Sequence, residues 1–140
     1  PKQVELIDLE KNLGKGNAVR EGIQTALKNS DCNTFAYLDA DLSTSLDECA
    51  HLAELIDKKT EFIFGSRIKK IDNTIERRWF RFIVGRIIAT AISKVLNLAV
   101  YDTQCGCKLF TRNTVQLAFK TSFISSWLFD VEIFFFFFNH

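Results

Sequence analysis

The 140-residue chain has no methionine, position 1 included, and its only proline is residue 1. A native start carries Met, so the sequence reads as part of a longer chain. Excess charge of one sign is lacking too: 18 Lys and Arg face 17 Asp and Glu, a formal net charge of +1. Bulk attraction to nucleic acid or to an anionic membrane is therefore not expected, and any charge-based function is local. The longest purely apolar run, Ile133 to Phe138, falls far short of the ~20 residues that cross a bilayer, and no basic and apolar leader opens the chain. An N-x-Ser/Thr sequon is missing, and Cys32, Cys49, Cys105 and Cys107 make no C-x-x-C pair, which together point to a reducing compartment. Cys105-Gly106-Cys107 has the form of half a metal site, yet matching Cys or His ligands are not evident elsewhere, so free thiols are expected.

What the chain does contain is ordinary for a globular domain. With 47% hydrophobic and 25% charged residues it can bury roughly two thirds of its unfolded surface, which excludes disordered and fibrous classes. Aromatic residues are 14 Phe, 2 Trp and 2 Tyr, with Phe134 to Phe138 in one run. Such an end looks cut through a buried element.

Segments alternate as a parallel sheet with crossover helices requires. Val4 to Asp8 reads as a short strand. Gly14 to Asn17 is a turn, and Ala18 to Lys28 places Val19, Ile23, Ala26 and Leu27 at helical spacing. Thr34 to Leu38 is a buried strand ending at Asp39. Ser45 and Glu48 form a capping box before a helix with an apolar stripe of Leu46, Cys49, Leu52, Ala53 and Ile56. Glu61 to Phe64 is the next strand, and a polar turn from Gly65 to Thr74 precedes a long apolar helix from Arg77 to about Leu98. Cys107 to Phe110 fits a strand, Asn113 is expected to cap a short helix through Phe119, and Trp127 to Phe138 reads as helix or strand. The expectation is one α/β domain.

Asp39-Ala40-Asp41 stands where an apolar strand gives way to a polar loop, and ligands bind at the carboxyl ends of strands in open α/β sheets. Two carboxylates there suit a divalent cation such as Mg²⁺, which takes one or two protein carboxylates together with substrate phosphate oxygens. Capping of the following loop is the plainer alternative. A haloacid-dehalogenase-like phosphatase, with Asp39 as nucleophile, is another use of a D-x-D at a strand end. The upstream strand and helix weigh against it. Gly14-Lys15-Gly16 lacks the third glycine of a dinucleotide fingerprint, Val19 standing there, so Lys15 is either a solvated turn residue or part of a substrate-facing loop. Arg67 emerges after the next strand on the same sheet edge, where a guanidinium can fork onto phosphate; Arg77, Arg78 and Arg81 form a second basic group.

Taken in order, Asn12-Leu13-Gly14-Lys15-Gly16-Asn17-Ala18-Val19-Arg20, Leu38 to Ser43, Gly65-Ser66-Arg67, Asp102 to Phe110 and Trp127 to Glu132 resemble glycosyltransferase family 2. Within it, they are similar to the branch of dolichyl-phosphate glucosyltransferases and polyprenyl-phosphate mannose synthases. The resemblance implies a GT-A fold with a mostly parallel sheet, whose first strands would lie upstream of Pro1. It also implies a nucleotide-sugar donor, Mg²⁺ or Mn²⁺, and a polyprenyl phosphate acceptor. By the same likeness Asp39 and Asp41 match the metal and diphosphate motif, with Ala40 between them, while Arg67 and Arg81 match phosphate-binding positions. Cys107 departs from the aromatic residue usual after the glycine. The donor expected is UDP-glucose, with GDP-mannose as the alternative.

A lipid phosphate is already anionic at neutral pH, so its attack on the sugar needs no strong general base. The site must instead stabilise the departing nucleoside diphosphate and align the two phosphates in line, which inverts the anomeric centre. Asp41 and Asp102 are the acidic candidates for catalytic roles, and Lys15, Asp39, Ala40, Asp41, Arg67 and Arg81 those for substrate binding. Asp130 and Glu132 are, with Asp102, acidic candidates near the acceptor, or instead cap or pair with Lys108; structural roles are expected over direct proton transfer. Peripheral contact with the cytoplasmic side of a membrane is expected, with Arg77 to Leu98 either at the interface or in the core. A non-catalytic module that binds nucleotide sugar or lipid phosphate is the alternative outside enzymology.

Overall fold

The computed structural model describes residues 4–41, 43–57, 59–65 and 105–138. Helix α1 (Lys15–Asn29) turns the apolar spacing of Val19, Ile23, Ala26 and Leu27 toward the core, and it begins at Lys15 rather than at Ala18. Its N-cap is Gly14, whose φ of 82° lies in the left-handed region that a side chain disfavours. Beyond its other end, Arg112 donates to the carbonyls of Leu27, Ser30 and Cys32 at 2.9, 2.8 and 3.0 Å, satisfying acceptors that a helix terminus leaves open.

Strand β1 (Thr34–Leu38) has the predicted bounds. Helix α2 (Leu46–Ala53) opens with the predicted capping box: Ser45 Oγ accepts the Glu48 N–H at 3.1 Å, and Glu48 Oε2 accepts the Ser45 N–H at 3.0 Å. Strands β2 (Phe62–Phe64) and β3 (Cys107–Thr111) follow, then helices α3 (Arg112–Ala118) and α4 (Phe129–Phe138). The ambiguous Trp127 to Phe138 stretch is thus helical from Phe129. Thr111, not Asn113, caps α3; β3 runs straight into the helix, so the cap is the last residue of the strand. Val4 to Asp8 forms no strand, with Val4 and Leu6 at 84% and 89% exposure. A strand exists by its ladder, and no described strand pairs with this segment.

The sheet has the order β1-β3-β2, with β3 antiparallel to both neighbours. The parallel pairing expected from the alternating pattern is therefore not what these residues form. β1 and β2 do run in the same direction, as a strand-helix-strand crossover demands, but β3 inserts between them. Its composition explains the central place: Cys107, Lys108, Leu109 and Phe110 are all fully buried.

Alternation along the strands divides the core into two. On one face Phe35, Tyr37 and Phe110, with Phe62, pack against Ile23 and Val19 of α1, Val115 of α3, Phe119, and Phe129 and Ile133 of α4. The opposite face sets Cys107 and Leu109, with Leu38 and Ile63, against Cys49, Leu52 and Ala53 of α2. Leu46, read as part of that stripe, is exposed instead. All four cysteines are free, three of them buried. The domain is mixed α/β with helices on both faces of the sheet.

Burial, and then the neighbouring Cys49, push the Cys107 thiol from about 9 up to about 12. An acid whose pKa is raised by folding contributes stability that is intact below its unfolded pKa and lost as pH rises through the folded value. Between about pH 9 and about pH 12 the unfolded chain ionises this thiol first, so stability falls over that window. In Cys107→Ala the denaturation midpoint should decline less steeply above about pH 9 than in the parent chain; an unchanged slope would locate the alkaline sensitivity elsewhere.

Candidate functional site

The carboxyl ends of β1 and β2 and the entry to β3 meet at one edge of the sheet. Past the last β1–β3 pair, Leu38 with Cys107, the Asp39 N–H donates to the Gly106 carbonyl at 2.7 Å. The Gly65 N–H at the end of β2 donates to the Cys107 carbonyl at 3.0 Å. The Asp39 carboxylate lies so close over Gly106 that a Cβ on residue 106 would fall on it. Only glycine leaves room there. Asp41 is exposed one step further along the loop, and its Oδ1 accepts the Ser43 N–H at 3.0 Å, an aspartate turn that holds the loop bent.

Lys15, the first residue of α1, meets this edge from the side. Its Nζ stands 2.6 Å from Asp39 Oδ1 and 5.6 Å from the centre of the Phe129 ring. A helix N-terminus disfavours a cation, and the first turn of α1 holds no acidic residue, so Asp39 supplies the compensating charge. The flanking glycines fix where the lysine starts: a Cβ on Gly14 would stand 2.7 Å from that of Ser126, and the Gly16 N–H donates to the Ser126 carbonyl at 2.9 Å. The Gly-Lys-Gly turn thus packs against the segment leading into α4 while its lysine reaches the aspartate.

Beneath the edge lies a buried polar cluster. Lys108 Nζ, on β3, is 2.6 Å from Asp130 Oδ1 on α4 and donates to the Cys105 carbonyl at 2.8 Å. The Tyr37 hydroxyl, on β1, donates to the same Asp130 oxygen. Burial lowers the Lys108 pKa, with Asp130 opposing it; burial also raises that of Tyr37, reinforced by the Asp130 charge. Lys108 does pair with Asp130, as weighed from the sequence, whereas Glu132 accepts the N–H groups of Ile124 and Ser125 at 2.9 and 2.8 Å. Tyr37 was not singled out in the sequence. The available signal was Lys108 itself, a lysine in an otherwise apolar strand.

Asp39, Lys15 and the Ala40-Asp41 loop are therefore brought to one sheet edge. Arg67, Arg81 and Asp102, the remaining candidates, lie outside the described residues, as does the Arg77 to Leu98 stretch. Among the described residues no three His, Cys, Asp or Glu side chains converge to hold a metal by themselves. Two aspartates at a strand end nevertheless fit a hard cation that completes its shell on phosphate oxygens. No helix among the described residues is long and apolar enough to cross a membrane.

Removing one member of a buried ion pair strands the other, at a cost of about 3–5 kcal/mol. Lys108→Met should show that loss in chemical denaturation, and the double variant Lys108→Met/Asp130→Asn should recover part of it. Equal losses in the single and double variants would mean that packing, not charge pairing, dominates at Lys108.

The family model for glycosyl transferase family 2 matches residues 1–117. The dolichyl-phosphate beta-glucosyltransferase of Dictyostelium discoideum is 32% identical over 139 residues, covering 93% of this chain and 40% of that protein. The proteins of that name from Drosophila melanogaster and Homo sapiens are each 30% identical over 138 residues, covering 94% of this chain and 41% of theirs. The chain thus spans about two fifths of the length of these curated relatives. No solved structure gives a significant match. With the D-x-D loop at the carboxyl end of β1 and a family match over most of its length, the chain belongs to glycosyl transferase family 2.

Proposed function

We propose that residues 1–140 form part of a GT-A catalytic domain that transfers a hexose, glucose from UDP-glucose by preference, onto dolichyl or another polyprenyl phosphate. The observation that carries this reading is the likeness of the chain, over more than nine tenths of its length, to dolichyl-phosphate beta-glucosyltransferases. In it Asp39 and Asp41 hold Mg²⁺ or Mn²⁺ together with the donor diphosphate. The cation, when bound, supplies charge neutralisation for the departing nucleoside diphosphate. Asp41, whose carboxylate accepts the Ser43 N–H, is exposed two positions along the loop from Asp39, and Ala40 between them adds little bulk. Lys15 contributes a positive charge beside Asp39 and at the N-terminus of α1, a combination that favours phosphate oxygens.

Arg67 and Arg81 are assigned to the phosphates of donor and acceptor, and Asp102 to orienting an arginine or a sugar hydroxyl. The acceptor phosphate attacks as an anion, so no residue has to remove its proton, and in-line displacement inverts the anomeric carbon. Such an acceptor is a membrane lipid, which places the enzyme at a membrane surface, on its cytoplasmic side in this reading. GDP-mannose is the alternative donor.

The phosphatase reading of Asp39 is the weaker one. Of the upstream strand and helix that weigh against it, only helix α1 is present among the described residues, and the match to glycosyl transferase family 2 supports the transferase reading. The test is donor binding and turnover by the full-length protein. UDP-glucose binding should weaken at least about tenfold with a chelator or in Asp41→Asn, the size of one lost charge-assisted contact. Glucose should then pass from UDP-glucose to dolichyl phosphate. Unchanged affinity in both comparisons would remove the metal assignment, phosphate release from a simple ester would favour the phosphatase, and binding without turnover would favour a binding module.

A further inference from the structure

We infer that Lys15 is a resident counter-ion of Asp39 that keeps a divalent cation from binding alone and moves onto the diphosphate when cation and nucleotide arrive together. The inference rests on the reading above, in which Asp39 is a metal ligand. It turns on which partner of the Lys15–Asp39 pair is able to move.

Asp39 is held. Its N–H is tied to the Gly106 carbonyl at 2.7 Å, its carboxylate fills the space over Gly106, and its side chain is only 21% exposed. Swinging aside would leave that space empty and part the carboxylate from its cation. Lys15 is anchored at its backbone by the Gly16 N–H to Ser126 contact, but its ammonium rides on a flexible four-carbon stem and the side chain is 42% exposed. The aspartate is fixed and the lysine is free to leave.

The charges then set an order. A cation approaching Asp39 alone meets an ammonium already 2.6 Å from one of the oxygens it needs. Displacing Lys15 without offering it another anion leaves a lysine at a helix N-terminus, where the dipole disfavours it. A nucleoside diphosphate removes both obstacles, because its oxygens coordinate the cation and also receive the lysine as a point-charge partner. The Phe129 ring, 5.6 Å from Nζ, favours a cation without supplying a competing carboxylate. Lys15 thereby couples metal binding to donor binding.

Mn²⁺ binding, followed by the electron paramagnetic resonance signal of the free ion, tests this with full-length protein, Lys15→Gln, Lys15→Arg and Asp39→Asn, each with and without UDP. The parent protein should bind Mn²⁺ weakly alone and much more tightly with UDP. Lys15→Gln should bind Mn²⁺ alone about tenfold more tightly than the parent, as expected for removing one nearby like charge at a partly exposed site, and its dependence on UDP should shrink. Lys15→Arg, which keeps the charge, should behave like the parent. If Lys15→Gln binds Mn²⁺ alone no better than the parent while Asp39→Asn loses Mn²⁺–UDP binding, the counter-ion role is wrong and the metal site stands. If Asp39→Asn leaves Mn²⁺–UDP binding intact, the metal assignment fails and takes this inference with it. A merely structural lysine would lower metal affinity when removed, the opposite sign.

Discussion

A single carboxylate, Asp130, ties β1, β3 and α4 together beneath the candidate site. It accepts the Tyr37 hydroxyl from β1 and pairs with Lys108 from β3, while belonging itself to α4. Lys108 in turn holds the Cys105 carbonyl. Tyr37 lies two residues before Asp39 and Cys105 lies next to Gly106, so the cluster pins both sides of the contact in which the Asp39 carboxylate rests. Buried ion pairs add little net stability because desolvation opposes their attraction, but they penalise any arrangement that separates the partners. Here that penalty enforces one docking of α4 and one spacing between the ends of β1 and β3.

Around that cluster the packing is aromatic. Phe110 stacks against Phe62 at 5.0 Å between centroids and meets Phe119 edge-on at 5.5 Å, while Phe62 lies parallel to Phe137 at 4.3 Å. Offset and edge-to-face ring pairs of this kind give directional preferences that aliphatic contacts lack. The phenylalanine run in α4 is thus partly accounted for: Phe134 is fully buried against Phe62 and Phe64, and Phe137 joins the main core, whereas Phe135 and Phe138 face outward.

How much of this could be read from the sequence depended on the range of the interaction. Local signals were legible: the capping box at Ser45 and Glu48, the strand at Thr34 to Leu38, and the helical spacing from Val19 to Leu27 rest on neighbours within a few positions. The D-x-D loop at a strand end was legible for the same reason. The central place of β3 was not, because it depends on a strand about 70 positions downstream of β1 entering between β1 and β2, and alternation along the chain carries no strand order. Nor was the Lys15–Asp39 pair, which joins the first residue of α1 to the loop after β1, 24 positions later. Val4 to Asp8 shows the converse: an apolar local pattern without a described ladder partner stays irregular and exposed.

The contact between Asp39 and Gly106 also bears on how such a site can change over evolutionary time. The carboxylate of the D-x-D loop occupies the volume that any side chain at residue 106 would claim. A mutation from glycine at 106 therefore acts first on the position of a charge carried by another motif, 67 positions away in the chain, before it acts on its own strand. A change at either motif has to be accommodated at the other, although 67 positions separate them in a chain of 140.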